Sequence, residues 1–557
     1  MEALLEEVIP SRILAVVGAP GVGKSTRFPL TLVQKVRRKV IVVTPTAIGA
    51  RVLTQFVQPS IRTDVVGTLE YWDLNSYYNS LLRKDQKAEA DIVCIDDAQL
   101  TKLEQTLLFL VLLQRSTQSG MLVMLLGIVI PKIYTALAER EFSELQFTGT
   151  TFPVVTAYLE TDPSGEDKIN ACLRELSVLL PVRAGSALLI VRSHDVGNYS
   201  SALRERFPTE TIYTVTSDNY DAAIFTERRS IIVSTPILET TVTIPDLEIV
   251  VDSMEMDMPR TRSNGSIVTG RKSWISAIQA AQRQGRVGRT KPGTCLRLCT
   301  SEFFQSLPRQ YPVEIELVDL SVAQLKLHLH GLADILPKHL DSRNQLLVLR
   351  LLEPDSRPVA EFITRLPLGL VPGYLATQWL SDAKNLVAEE ISAMILYLSL
   401  VEVEGPYIGV PITLPHERIS HIQKWAAPSD FHVLLRIVED VDPLQERWIN
   451  PQGLLYGDNW REVRHLMSGL RYQLQQEGYS PSPDLDLYTY LPKFQAVCRK
   501  ALPMAIYSYA DDLGQWIQAK GDRSYSPNAI YPEKDRSPVQ VALAILADVI
   551  ILGVGLD

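Results

Sequence analysis

Three short stretches carry side chains suited to phosphate chemistry. The first, Gly18-Ala19-Pro20-Gly21-Val22-Gly23-Lys24-Ser25, fits the spacing Gly-x-x-x-x-Gly-Lys-Ser/Thr. An apolar run, Ile13 to Val17, leads into it and a stretch that reads as helix from Ser25 follows. In that context the backbone N–H groups of such a loop wrap a β-phosphate, aided by the helix dipole. Gly18, Gly21 and Gly23 shape the loop, Lys24 would neutralise β- and γ-phosphates, and Ser25, followed by Thr26, would ligate magnesium. The second stretch, Ile92-Val93-Cys94-Ile95-Asp96-Asp97, is a buried-strand pattern ending in two carboxylates. Asp96 can hold magnesium through water, and Asp97 can polarise an attacking water. The third is Gln282-Arg283-Gln284-Gly285-Arg286-Val287-Gly288-Arg289. Its arginines recur every three residues, which predicts several guanidinium forks on one side of a helix start, with glycines allowing close approach. Alone, the run is also readable as a solvated basic face. Beside a complete phosphate loop, it reads as a phosphate grip.

Parallel strands are the elements that would present such loops together. Through the first 150 residues, short β-branched runs alternate with helical stretches, the signature of a parallel α/β sheet. Ile13–Val17, Val40–Val43, Ile92–Ile95 and Leu122–Ile130 are the strand candidates. A second series follows at Ala187–Val191, Ile212–Val215, Ile231–Val233 and Glu248–Asp252, with Asn264-Gly265 as a hairpin-turn signal. Thr148 to Pro163 reads as the joint between the two sheets. Beyond about residue 315 the pattern turns helical, and the last 65 residues mix short segments with turn residues, which suggests a small β-rich module.

At 557 residues the chain exceeds one core. Its formal charge of −9 gives no global positive field, so any polyanion must be held in a local channel. Five scattered cysteines without a Cys-x-x-Cys pair argue against a zinc site or disulfide framework and fit a reducing compartment. No secretory signal is visible at Met1 to Pro10. The apolar stretch Leu107–Ile130 is interrupted at Gln114–Gly120 and reads as helix, loop and strand; Val539–Leu556 reads as terminal core elements rather than a membrane anchor.

Together these pieces resemble the superfamily 2 helicases of the DEAH/RHA type. Ser234-Thr235-Pro236-Ile237-Leu238-Glu239-Thr240-Thr241-Val242-Thr243-Ile244 is similar to that family's motif V, and Gln282 to Arg289, continued by Thr290-Lys291-Pro292-Gly293, matches its motif VI. Phe152-Pro153-Val154 looks like the start of the second RecA-like domain. The Gly23-Lys24-Ser25-Thr26-Arg27-Phe28-Pro29 run and Gly285-Arg286-Val287-Gly288-Arg289 are also similar to potyvirus-like and mycovirus-like RNA helicases, and the compact first domain suggests a virus-encoded enzyme. The resemblance implies an α/β chain of two tandem RecA-like domains with parallel sheets (1–150 and 151–315). A winged-helix-like region (316–380), a helical bundle (381–490) and a small OB-like module (491–557) would follow. It implies an ATP-dependent RNA helicase or translocase using ATP and Mg2+ on single-stranded RNA, with DNA a lesser alternative. Such a protein needs no membrane. It would work in the cytoplasm, a viral replication context included, with the nucleus as a lesser alternative, and a protein cofactor or polyprotein neighbours are further expected partners.

Position by position, the resemblance assigns Gln282 to placing the water and Arg286 and Arg289 to stabilising charge on the γ-phosphate. Thr46 and Arg51 (motif Ia), Thr68 (motif Ib), Thr235 and Thr243 (motif V) would meet nucleic-acid backbone. Several positions depart from the family pattern. Motif II reads Asp96-Asp97-Ala98-Gln99, so an aspartate stands where a glutamate is usual and a glutamine where a histidine is. The motif III region, Gly127-Ile128-Val129-Ile130-Pro131, lacks its usual hydroxyls, and Pro236 replaces a polar residue in motif V. A second class of function therefore stands beside the enzyme: a weakened helicase fold acting as a nucleotide-gated RNA-binding or scaffold protein. A simple GTPase lacks a guanine-recognition signature and leaves the arginine run unexplained.

Overall fold

The computed structural model describes residues 12–57, 67–149, 151–162, 165–216, 229–239, 244, 246–261, 267–310, 312–337, 350–381, 386–403, 430–439, 457–484, 486–502, 506–510, 515–518, 524–525, 539–546 and 549–555. Two compact units divide the chain. The first comprises Met1–Pro259, Thr269–Leu317 and Asp334–Leu340 and holds two six-stranded parallel sheets.

The first sheet contains β1 (Ile13–Val17), β2 (Val40–Thr44), β3 (Leu69–Asp73), β4 (Ile92–Ile95), β5 (Leu122–Gly127) and β6 (Ser143–Gln146), in the order β3-β2-β4-β5-β1-β6. Every pairing is parallel. Strands β1, β2, β4 and β5 are β-branched or leucine-rich along their whole length because helices cover both faces of such a sheet. As all six run the same way, the loops leaving β1 and β4 emerge at one edge, which is where Lys24 and Asp96 need to meet.

The second sheet contains β7 (Val154–Tyr158), β8 (Ser186–Ile190), β9 (Ile212–Val215), β10 (Ile231–Ser234), β11 (Leu247–Asp252) and β14 (Gly293–Arg297), in the order β7-β14-β11-β8-β10-β9, again all parallel. Strands β12 (Glu255–Thr261) and β13 (Ile267–Trp274) form the expected hairpin; its turn at Asn264-Gly265 lies outside the described residues. An apolar cluster joins the two sheets' domains: Ile48, from the helix Ala47–Val57, is buried with Leu188, Ile190, Leu238 and Val287.

Three local readings are corrected. Gln114–Ser119 is not a loop: the helix Leu103–Ser119 runs through it and ends where Gly120 takes a left-handed φ of 78°, the conformation that favours a glycine stop. β5 stops at Gly127, so Ile128–Ile130 lies beyond the strand. The supposed joint Thr148–Pro163 contains β7, an edge strand of the second sheet.

The second unit comprises Arg260–Val268, Val318–Ala333 and Asp341–Asp557. Its helices Leu370–Ser381, Ala388–Glu402, Gly457–Gln476 and Leu491–Ala501 surround an aromatic centre in which Trp379, Tyr397 and Phe431 all lie within 5.9 Å, centroid to centroid, of Phe494. Trp379 Nε1 donates to the buried Glu390 at 2.9 Å, and Lys493 neutralises the same carboxylate. The C-terminal strands β15 (Ile506–Ala510), β16 (Gln515–Gln518), β17 (Ser524–Tyr525), β18 (Val539–Leu546) and β19 (Val549–Gly555) form an antiparallel sheet in the order β17-β16-β15-β18-β19. The apolar tail is thus a β-hairpin arm, and among the described residues no helix is long and apolar enough to cross a membrane. These pairings make an open array, which does not by itself establish an OB-like module.

Candidate active site

The loop after β1 closes on itself. Lys24 Nζ donates to the carbonyls of Gly18 (2.7 Å) and Ala19 (2.9 Å). Gly21 and Gly23 have φ of 80° and 100°, a region that side chains with a Cβ avoid. The helix begins at Arg27, two residues later than the sequence suggests. Burial lowers the Lys24 ammonium from its ordinary value, opposed by the nearby carboxylates of Asp97 and Asp96.

Asp96, at the end of β4, is buried, and its Oδ1 accepts from Ser25 Oγ at 2.9 Å. Its Oδ2 is buried without a hydrogen-bond partner. Burial and the adjacent Asp97 carboxylate push it up to about 7, against the Ser25 hydroxyl and Lys24. A hydroxyl and an anionic oxygen lacking a donor, side by side, suit a small hard cation such as magnesium. The residues present therefore fit a divalent ion held by Ser25 and Asp96.

Asp97 occupies the left-handed region, with φ 49° and ψ 43°, which aspartate tolerates better than most residues. Its Oδ1 accepts from Gln99 Nε2 (3.0 Å) and from Gln282 Nε2 (3.3 Å), the latter arriving from the second sheet's domain. Gln99 is itself oriented, because its Oε1 accepts from the Ile128 N–H at 3.1 Å. With the carbonyl end so used, the amide end must face Asp97. Gln105 Nε2 donates to the main-chain carbonyls of Asp96 (3.0 Å) and Asp97 (3.4 Å), holding the turn from beneath.

The arginine run corrects the sequence reading in two ways. The helix Ala277–Gln284 ends there rather than starting, with Gly285 at its C-terminus. And the three guanidiniums do not share a face. Arg283 is fully buried and bonded to Glu239 (3.0 Å), Asp252 (2.7 Å) and the Glu255 carbonyl (3.1 Å), so it ties the second sheet together. Arg286 and Arg289 line the cleft instead. Arg286 Nη1 donates to the Glu239 carbonyl at 3.3 Å and Arg289 Nε to the Gly285 carbonyl at 2.9 Å. Burial, and for Arg286 the neighbouring Arg289, lowers both from the ordinary arginine value, Arg289 to about 10, while Asp97 opposes. Cations held at that disadvantage gain from an incoming anion.

A cleft of about 460 Å³ joins these groups. Gly21, Gly23, Lys24, Ser25, Thr26 and Asp97 line it from the first sheet; Glu239, Gln282, Arg286 and Arg289 line it from the second. Leu30, Val52, Leu53 and Phe56 add an apolar end. The two walls meet closely: a Cβ on Gly285 would lie 2.2 Å from Pro20 Cβ. Gly18 and Asp96 sit behind the lining. The remaining expected contacts are dispersed. Thr46 uses its hydroxyl to accept the Gly49 N–H at 3.1 Å, at the start of its helix; Arg51 and Thr68 are exposed; Thr235 is buried at the end of β10; Thr243 lies outside the described residues. Gln105 and Glu239 were not selected by sequence reasoning: Gln105 has no motif signal, and Glu239 sat within motif V without an assigned role.

No family model matches the chain. Human ATP-dependent RNA helicase DHX29 is 29% identical over 238 residues, covering 39% of this chain and 17% of that protein. The chloroplastic DExH-box ATP-dependent RNA helicase DExH4 of Arabidopsis thaliana is 37% identical over 111 residues, 20% of this chain and 8% of its own. Escherichia coli ATP-dependent RNA helicase HrpA is 23% identical over 367 residues, 60% of this chain and 28% of that one. Over part of its length the chain is similar to DEAH/RHA-type RNA helicases. It spans well under half the length of these three relatives. The crystal structure of Escherichia coli DEAH/RHA helicase HrpB aligns over 100% of this chain and 69% of its own, with a TM-score of 0.55 at 16% identity, so the two share a fold. These relatives come from human, plant and bacterium and lend no support to the viral resemblance.

Proposed function

We propose that this chain is an ATP-dependent RNA helicase or translocase that hydrolyses ATP with magnesium. The observation that carries the reading is the two-walled cleft, with Lys24, Ser25 and Asp97 on one wall and Gln282, Arg286 and Arg289 on the other. In that cleft Lys24 would exchange the Gly18 and Ala19 carbonyls for phosphate oxygens, while the loop's N–H groups cradle the β-phosphate. Ser25 and Asp96 would hold magnesium, which when bound supplies charge neutralisation on the phosphates. Asp97, oriented by the amides of Gln99 and Gln282, would accept a hydrogen bond from the attacking water. Arg286 and Arg289 would stabilise the charge that develops on the transferring phosphoryl group.

Thr46, Arg51 and Thr68 from the first sheet's domain, with Thr235 and Thr243 from the second, would grip the sugar–phosphate backbone of single-stranded RNA without reading bases. Residues 1–150 and 151–315 would be the two RecA-like domains. Residues 316–380, 381–490 and 491–557 would supply winged-helix, bundle and OB-like parts.

The decisive experiment measures magnesium-dependent ATP hydrolysis by the parent and Lys24→Ala, with and without single-stranded RNA, plus strand separation on a tailed duplex. A parent without hydrolysis would refute the enzyme. A second reading, a nucleotide-gated RNA-binding protein with weakened catalysis, draws on the short carboxylate of Asp97 and on the missing hydroxyls at Ile128–Ile130. Nucleotide-dependent RNA binding without turnover would select it.

A further inference from the structure

The turn after β4 holds two non-glycine residues in the left-handed region within five positions, Asp97 at φ 49° and Thr101 at φ 46°. Aspartate tolerates that conformation; threonine, branched at Cβ, does so poorly. Backbone of this kind persists only where surrounding contacts over-determine it. Part of that restraint is local: Gln105 holds the Asp96 and Asp97 carbonyls, and Tyr134 Oη donates to the Ala98 carbonyl at 3.1 Å. The Thr101 end is different. It is held by chain 211 residues away, beyond the second sheet.

There, the Glu314 N–H donates to the Thr101 carbonyl at 3.2 Å, and Thr101 Oγ1 donates to the Pro312 carbonyl at 3.3 Å. Glu314 Oε2 accepts the Leu103 N–H at 2.9 Å, capping the first turn of the helix Leu103–Ser119. A few residues earlier, the carbonyls of Pro308 and Arg309 accept the N–H groups of Ala277 and Ile278, the first turn of the helix that ends in Gln282 and the arginine run. The same length of chain therefore grips the trailing end of the Asp96–Asp97 turn and the leading end of the helix carrying Gln282. Glu314 has no place in the cleft lining, and its burial raises its carboxyl above the ordinary value, a cost the Leu103 N–H offsets.

We propose that Glu314 is a positioning residue: it pins the Thr101–Leu103 end of the turn and so fixes Asp97 relative to Gln282. This rests on the reading of Asp97 as the water-polarising group. Removal of the pin would let the turn relax toward unstrained backbone and misplace the Asp97 carboxylate, while the phosphate loop, on a different strand, keeps its geometry.

The test compares the full-length parent, Glu314→Ala and Glu314→Gln in RNA-stimulated ATP hydrolysis and in amide hydrogen exchange. Glu314→Gln retains an oxygen acceptor for the Leu103 N–H. Glu314→Ala should lower kcat on the order of 10-fold to 100-fold, the scale of small misplacements at a reacting centre, with KM for ATP within about twofold. Glu314→Gln should recover most of that loss. Exchange should quicken over residues 97–106 in Glu314→Ala and stay at the parent rate over residues 18–25. A parent-like kcat in Glu314→Ala would overturn the proposal. So would an equal loss in Glu314→Gln, or an exchange increase spread evenly over both segments. A parent that does not hydrolyse ATP would refute the proposed function instead, and unchanged exchange over residues 97–106 would then still overturn the pin.

Discussion

Replacing Arg283 by alanine should destabilise the second sheet strongly, and more so at neutral than at acidic pH. Arg283 is fully buried between Glu239 and Asp252, whose other carboxylate oxygens, Oε1 and Oδ2, already lack partners. Without the guanidinium, two buried carboxylates would face an apolar void or take up protons. Forcing a glutamate of ordinary pKa to bind a proton at pH 7 costs about 1.4 kcal/mol for each pH unit above roughly 4.3, so about 3.8 kcal/mol for Glu239. That agrees with the roughly 3–5 kcal/mol measured when one partner of a buried ion pair is removed. In the parent, burial already raises Glu239 even with Arg283 beside it. In the variant its folded pKa would stand further above the unfolded one. Its contribution to stability would then be present below about pH 4 and lost as pH rises, so the gap between parent and variant narrows on acidification. Lowering the pH from 7 to 5.5 should recover roughly 2 kcal/mol. Calorimetry of the full chain at both pH values is the assay, with the affected transition shifted down by roughly 5–15 °C at pH 7. A loss below about 1 kcal/mol that does not change with pH would refute the ion-triad argument and return Arg283 to the cleft.

Arg289→Ala should show the opposite profile, with stability within about 1 kcal/mol of the parent and kcat for ATP lower by roughly 10³-fold, read by steady-state hydrolysis. Lys24→Ala should abolish measurable turnover and weaken binding of a fluorescent ATP analogue, since among the described residues no other lysine lines the cleft. Gly285→Ala should lower kcat at least tenfold while nucleotide binding to the first sheet's domain persists, because its new methyl would meet Pro20 at the contact between the walls. Asp97→Glu should raise kcat several-fold by carrying the carboxylate one methylene further; a fall would mean that the Gln99 and Gln282 amides are set for the shorter side chain.

Much of the site was legible because its chemistry is local. The glycine spacing of Gly18 to Ser25, the apolar strand before it and the paired carboxylates after Ile95 each require only a few neighbouring residues. The strands found by pattern, such as β2, β4 and β8, are continuous apolar runs of the kind that central parallel strands need. Those missed include the edge strands β3, β6 and β7, with partly exposed or polar residues whose strand character comes from one neighbour rather than from their own composition, and the interior strand β14, whose Gly-Thr-Cys-Leu-Arg sequence carries only one β-branched residue. Gln114–Ser119 looked like a loop from its polarity, yet helix propagation and the Gly120 stop carried the helix through it.

Residue type and short spacing determined that this chain carries the glycine-lysine-serine spacing of a phosphate loop, two adjacent carboxylates at a strand end, and an arginine-rich run that follows a second series of strands. Type and spacing alone do not separate Arg283 from Arg286 and Arg289; only the family resemblance set the last two apart, without a physical reason. The tertiary structure supplied that reason, because Glu239 and Asp252 enclose one guanidinium while the cleft receives the other two. It also decided the conformation of the Asp97 turn, whose strained backbone is held by Gln105 from below and by Glu314, from chain that follows the last strand of the second sheet. Burial and hydrogen-bond partners between residues so distant in sequence arise only when the sheets are folded and brought together.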